Sequence, residues 1–247
     1  EIGSGLVGSE MCIRDRAEGV KMFLEAPREQ LQEVYVSESF LEKCSCREHL
    51  EEVGYEVVSD SVFSKISDTC TPQGVLCVLK QFHYNIEEML RDKAPLFLLL
   101  ENIQDPGNLG TMLRTGEGAG VSGIIMSRDT VDLYNPKVIR STMGSIYRVP
   151  FYYADDFAAA VHQVQQAGVS VYAAHLRGKN SYACQDYTKG TAFLIGNEGN
   201  GLREETAELA DCYIRIPMEG KVESLNAAVA SSILMYEAHR QRATLEK

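Results

Sequence analysis

The stretch DCYIRIPMEGKVESLNAAVASSILMYEAHRQ, Asp211 to Gln241, lays down an order that two upstream segments share. An apolar strand, Cys212–Ile216, stops at Pro217; a glycine-bearing loop follows, and a helix rich in small residues starts near Ser224. The same order of apolar strand, polar or glycine-rich turn and helix is found in LFLLLENIQDPGNLGTMLRTGEGAG from Leu96 and in TAFLIGNEGNGLREE from Thr191. In an open α/β sheet, turns at the carboxyl ends of parallel strands gather along one edge, where such sheets hold their ligands.

Working outward, strands alternate with helices from Leu96 to Arg242, which predicts a mostly parallel sheet with helices on both faces. Leu96–Leu100 is a continuous apolar run, the mark of a strand covered on both sides. Further strands are expected at Ser122–Met126, Ile146–Pro150, Val169–Ala174 and Phe193–Ile195. Asn135 caps a helix with Pro136 at its first position, and Asp155 starts an amphipathic one running to Ala167. Ahead of this lies a smaller α/β unit over residues 17–80, with a helix at Gly19–Ala26, strands at Glu33–Val36, Tyr55–Val58 and Gly74–Leu79, and a helix capped by Ser37 or Ser39. Residues 81–94 form a helical linker, and residues 95–247 the larger domain. Residues 1–16, EIGSGLVGSEMCIRDR, show no periodicity and read as a non-native or disordered segment outside the fold.

Bulk properties remove several function classes. The net charge of −11 argues against non-specific nucleic-acid binding. The acid is concentrated early: Glu1–Lys93 has 10 Lys+Arg against 18 Asp+Glu, and the remainder 14 against 17. Any nucleic-acid contact must therefore use local cations. The 7 cysteines are odd in number and lack paired C-x-x-C spacing, so neither a zinc site nor a disulfide framework is expected. Their free thiols suit a reducing cytoplasm. Apolar runs are strand-length, short of the roughly 20 residues a membrane helix needs. The five histidines have no ligand spacing, and no metal is expected.

Three segments carry chemistry. In Asp105-Pro-Gly-Asn-Leu-Gly-Thr-Met-Leu-Arg114, Pro106-Gly107 forces a turn and Asn108 is a candidate cap for the next helix. The helix amino terminus with Arg114 nearby suits a phosphate; a capped helix with a solvated arginine is the plainer reading. In Gly196-Asn-Glu-Gly-Asn-Gly-Leu202, three glycines in six residues permit close approach of backbone to a ligand, or simply a tight turn. The glycine order is not that of a dinucleotide site, and the Walker Lys-Ser/Thr pair is missing. Glu198 there is either an ionised acceptor or a structural anchor. In the third segment, Ser224 and Asn226 both suit a helix cap, and Ala227, Ala228, Ala230, Ser231 and Ser232 give that helix a face fit for close packing, within the domain or against a second copy.

Taken in this order, Asn108-x-Gly110-x-x-x-Arg114, the IGNEGNGL block and Ile216-Pro217-Met218 followed by Ser224-Leu225-Asn226 resemble the SpoU/TrmH family of RNA ribose 2′-O-methyltransferases. The resemblance covers Leu96 to about Arg242. Residues 17–80, including TPQGVLCVL, look like the ribosomal-protein-like RNA substrate-binding domain that many members carry. What it implies is a trefoil-knotted α/β domain, a homodimer, and S-adenosylmethionine held against Gly196, Ile216, Met218 and Leu225. It further implies a catalytic neighbourhood of Asn108, Arg114, Glu198, Ser224 and Asn226, with Arg114 serving its own site or the partner subunit's. In that scheme Asn226 and Ser224 order the third loop and Arg114, and Glu198 orders the second. Ribosomal RNA is favoured over transfer RNA as substrate; a non-catalytic RNA-binding or ribosome-assembly protein of the same fold is the alternative.

Overall fold

The computed structural model describes residues 14–245, so most of the segment 1–16 lies outside the described residues. The chain divides into two compact units, Glu1–Phe82 and His83–Lys247. In the first, β1 (Arg14–Glu18), α1 (Val20–Glu25), β2 (Leu31–Ser37), α2 (Glu38–Lys43), α3 (Arg47–Val53), β3 (Glu56–Val58), α4 (Asp60–Ile66) and β4 (Val75–Lys80) follow in order. Their four-stranded sheet runs β1-β4-β2-β3, with β4 antiparallel to both its neighbours. Strand β1 begins at Arg14, inside the span expected to lie outside the fold. Backbone pairing to β4 explains the difference, because ladder hydrogen bonds need no apolar pattern on an edge strand. The single helix expected after Ser37 is two: Ser37 does cap α2, accepting from the Phe40 amide at 3.2 Å, but the chain turns at Cys44.

The second unit comprises α5 (Ile86–Met89), β5 (Leu96–Leu100), α6 (Pro106–Ala119), β6 (Gly123–Ser127), α7 (Pro136–Thr142), β7 (Phe151–Ala154), α8 (Phe157–Gln166), β8 (Ser170–Ala174), β9 (Asn180–Ser181), β10 (Thr191–Ile195), α9 (Glu204–Ala207), β11 (Cys212–Arg215) and α10 (Ala227–Leu245). Helix within the expected linker is confined to α5. Its seven-stranded sheet runs β7-β6-β5-β10-β8-β11-β9, and every pairing among the described residues is parallel. All residues of β5, β6 and β10 are buried, which is why these strands read as unbroken apolar runs rather than alternating ones. Phe97 and Leu99 face a core built with Val161 and Val164 of α8 and Ala207 of α9. By alternation Leu96, Leu98 and Leu100 face the other side, where α6 packs against α7 and α10.

Ile146–Pro150, expected as a strand, is instead a short 3-10 turn over Ser145–Tyr147, with the strand starting at Phe151. Met143 and Gly144 both take left-handed backbone that stops α7, and Ile146 and Val149, three apart, are both buried by the resulting turn. Strand β9, two residues long, had no apolar signal to reveal it. Since Leu98 is fully buried at the centre of the sheet, Leu98→Ala should lower the unfolding free energy by about 3 kcal/mol. A urea titration reading the midpoint at unchanged slope checks this.

Candidate active site

The carboxyl ends of β5, β10 and β11 deliver three loops to one place. Glu198, from the loop after β10, is their junction. Its Oε1 accepts from the Asp105 amide at 3.0 Å and from Asn108 Nδ2 at 2.9 Å, and its Oε2 accepts from the Gln104 amide at 3.1 Å. Asn226, from the loop after β11, extends the line by donating Nδ2–H to Asn108 Oδ1 at 2.9 Å. Its own Oδ1 accepts from the Ala228 and Val229 amides and so caps α10. One chain of hydrogen bonds, Glu198 to Asn108 to Asn226, therefore ties all three loops. Burial works against ionising Glu198, but the Asn108 amide group and the two backbone amides outweigh it and hold the carboxyl below its usual range.

This geometry refines the sequence expectations at several points. Asn108 does not cap α6; Asp105 does, accepting from the Asn108 amide at 2.8 Å, which frees the Asn108 side chain to link Glu198 and Asn226. At the amino terminus of α6, expected to suit a phosphate, the carboxylates of Asp105 and Glu198 meet the Asn108 and Asp105 amides. Asn226 orders the end of the third loop, as expected, and bonds Asn108 in the first, and Glu198 secures the first loop as well. Finally, α10 starts at Ala227 rather than near Ser224.

Beside the junction lies a cleft of about 270 Å³ lined by Gly196, Glu198, Ile216, Met218, Ser224 and Leu225, together with His175 and Leu176 after β8. The floor is backbone. A Cβ on Gly196 would sit 2.2 Å from the Gly201 carbonyl carbon, so only glycine lets the loop fold back on itself. Gly201 and Asn197 exchange backbone hydrogen bonds at 2.9 and 3.0 Å, and the Asn197 side chain accepts from Gly199 and Asn200. Gly110 has a comparable role in α6: a Cβ there would lie 2.3 Å from Ser141 Cβ, so α7 lies directly against it.

Arg114 stands apart. It is exposed on α6, does not line the cleft, and its side chain has no hydrogen-bond or ion-pair partner among the described residues. Six residues beyond Asn108, it projects about 120° away round the helix. The same region of α6 abuts α10, where Ser232 Oγ lies 3.4 Å from Thr115 Oγ1 and the Tyr236 hydroxyl lies against Gly118.

Several supporting residues escaped the sequence reading. Glu101, buried at the end of β5, accepts from the Arg203 amide at 2.8 Å and from the Thr206 hydroxyl, so it holds the far end of the glycine loop. The Arg203 guanidinium bridges Glu101 and Asp129. Asn102, with φ of 54°, turns its carbonyl toward Asn197 Nδ2 at 2.8 Å; asparagine tolerates that left-handed backbone. A buried acid directly after an apolar strand was the available signal for Glu101. Among the described residues, no group of three or more His, Cys, Asp or Glu is arranged to hold a metal, and no helix is long and apolar enough to cross a membrane.

Comparison with known proteins gives a consistent picture. Residues 95–236 match the SpoU rRNA Methylase family. The chain is 35% identical over 180 residues to the 23S rRNA (guanosine(2553)-2′-O)-methyltransferase RlmP of Bacillus subtilis, covering 73% of this chain and 70% of that one. It is 32% identical over 222 residues to the 23S rRNA (guanosine-2′-O-)-methyltransferase RlmB of Bordetella pertussis, covering 87% and 91%. Among solved structures, an AdoMet-bound rRNA methyltransferase from Sinorhizobium meliloti superposes with a TM-score of 0.80 at 30% identity, over 93% of this chain and 88% of that one.

A depressed carboxyl contributes stability that is present above its unfolded pKa, near 4.3, and is lost as pH falls through the lower folded value. Glu198→Gln should thus destabilise the protein at neutral pH by about 1 kcal/mol after allowance for solvent screening. The difference should shrink below about pH 4 as the wild-type carboxyl protonates. Thermal melts across pH check this; a gap independent of pH contradicts an ionised Glu198.

Proposed function

This chain belongs to the SpoU rRNA methylase family, and from that footing we propose that it is an RNA ribose 2′-O-methyltransferase, moving the methyl group of S-adenosylmethionine to a ribose 2′-hydroxyl of ribosomal RNA. The observation that carries this reading is the glycine-floored cleft with the Asn108–Glu198–Asn226 line at its side. Both 23S rRNA enzymes compared above are named for the same reaction class. Relatives of that name support ribosomal RNA over transfer RNA, and a cytoplasmic setting with it. The described cysteines are all free thiols, as that setting suits.

The residues fit the cofactor. Gly196 lets its loop close tightly on Gly201 and leaves backbone along the cleft for an adenosyl moiety, while Ile216, Met218 and Leu225 offer an apolar surface to its base. When bound, S-adenosylmethionine supplies an electrophilic methyl carbon on a sulfonium. Ser224, on the cleft wall, is the hydroxyl on hand beside it. The chain's main task is alignment, for which rigid loops are worth several kcal/mol of barrier. Glu198 is a poor base, because its oxygens are engaged by three donors and its carboxyl is held in the ionised form. We assign it to loop order, with Asn108 and Asn226 as the links. Arginine keeps its proton at any physiological pH, so Arg114 serves by holding an RNA phosphate, with the ribose proton leaving to phosphate or water.

Because Arg114 lies off the cleft, we assign it to the site of a partner subunit in a homodimer. Val229 and Tyr236, exposed side chains of α10, the second lying against Gly118 of α6, are the supporting surface. We further read the threading of the loops around β10, β11 and α10 as a trefoil knot, and residues 17–80 as the RNA substrate-binding domain. The test is methyl transfer from labelled S-adenosylmethionine to an unmodified 23S ribosomal RNA transcript. Arg114→Ala should lower turnover roughly 100-fold, an alignment-scale loss, and Arg114→Lys far less. Equal losses contradict the phosphate role, and no transfer by the unaltered chain contradicts the assignment.

A further inference from the structure

We propose that Lys137 and Arg140 of α7 form, with Arg114, a track of cations that grips successive phosphates of the RNA strand; the inference rests on the RNA-methylating reading above. Two contacts put α7 and the turn after it against α6. A Cβ on Gly110 would meet Ser141 and the Val138 carbonyl, and Glu117 pairs with Arg148 beyond the left-handed turn that ends α7. Lys137, one turn before Ser141, and Arg140, directly before it, therefore lie on a helix packed against the one that carries Arg114.

Three features single out these side chains. Lys137 and Arg114 are exposed and Arg140 half-buried, and none of the three has a hydrogen-bond or ion-pair partner among the described residues. Most other arginines of this unit are spent: Arg128 on Asp155, Arg148 on Glu117, Arg177 on Glu204, Arg203 on Glu101 and Asp129, Arg240 on Glu237. The helix terminus that might otherwise bind phosphate is filled by Asp105 and Glu198. Glu117, three residues beyond Arg114, is engaged by Arg148 and so does not neutralise the track. In a chain of net charge −11, RNA must find such a local run of unpaired cations.

The experiment measures retention of an unmodified 23S ribosomal RNA transcript by the full chain, without cofactor, between about 50 and 200 mM salt. Lys137→Ala and Arg140→Ala should each reduce the slope of log affinity against log salt by about 0.7 to 0.9, and Arg140→Lys should keep the slope. Lys93→Ala, before the opposite end of β5, should leave it unchanged. Calorimetry should show S-adenosylmethionine bound equally by all variants. An unchanged slope in both α7 variants overturns the proposal, as does an equal fall in Lys93→Ala. A loss of oligomer mass in the α7 variants overturns it too, by assigning these cations to a protein contact. If the unaltered chain transfers no methyl group yet the slopes fall as stated, the methyltransferase reading fails and the phosphate track stands.

Discussion

Everything at this site depends on where one negative charge is kept. The amides that open α6 have no partners within the helix and would attract an anion from solution. Glu198 reaches across from another strand to meet them, and Asn108 passes the connection to Asn226. Three loops far apart in sequence become one body because each supplies a donor or acceptor that another leaves open. A second carboxylate repeats the device behind the first: Glu101, buried, fixes the Arg203 end of the glycine loop. Leaving either acid's donors unmet would cost more than the net gain of a typical hydrogen bond.

The arrangement divides labour in space. The cleft beside Gly196 is made of backbone and apolar side chains, suited to a flat, uncharged base and a short tail. The carboxylates of Asp105 and Glu198 already meet amides at the start of α6, so the proposed phosphate contacts fall to side chains on other helix faces. Arg114 thus carries no internal contact to give up when RNA arrives. A site whose ordering residues are all mutually bonded can hold its shape before any ligand binds, which is the condition for alignment to lower a barrier.

Much of this was legible in the sequence, and the limits have physical causes. Leu96–Leu100 announced a doubly covered strand because burial on both faces leaves no alternation to misread. Asn135-Pro136 marked its helix start correctly, since cap and proline act through local backbone alone. Gly196, Glu198, Ile216, Met218, Ser224 and Leu225 do line one cleft. Asn108 is not the cap because Pro106 opens the helix one residue after Asp105, whose carboxylate meets the Asn108 amide at the N3 position. The roles of Glu101 and Asn102 depend on partners about 25 to 105 residues distant, which no local pattern encodes.

The central claim is that S-adenosylmethionine rests against backbone that only glycine permits. Isothermal titration of the cofactor into the unaltered chain and into Gly196→Ala, with circular dichroism to establish that the variant is folded, tests it most directly. Saturable binding by the first and at least a tenfold weaker affinity in the second is the predicted result. Equal affinities, or no heat of binding from the unaltered chain, would contradict it.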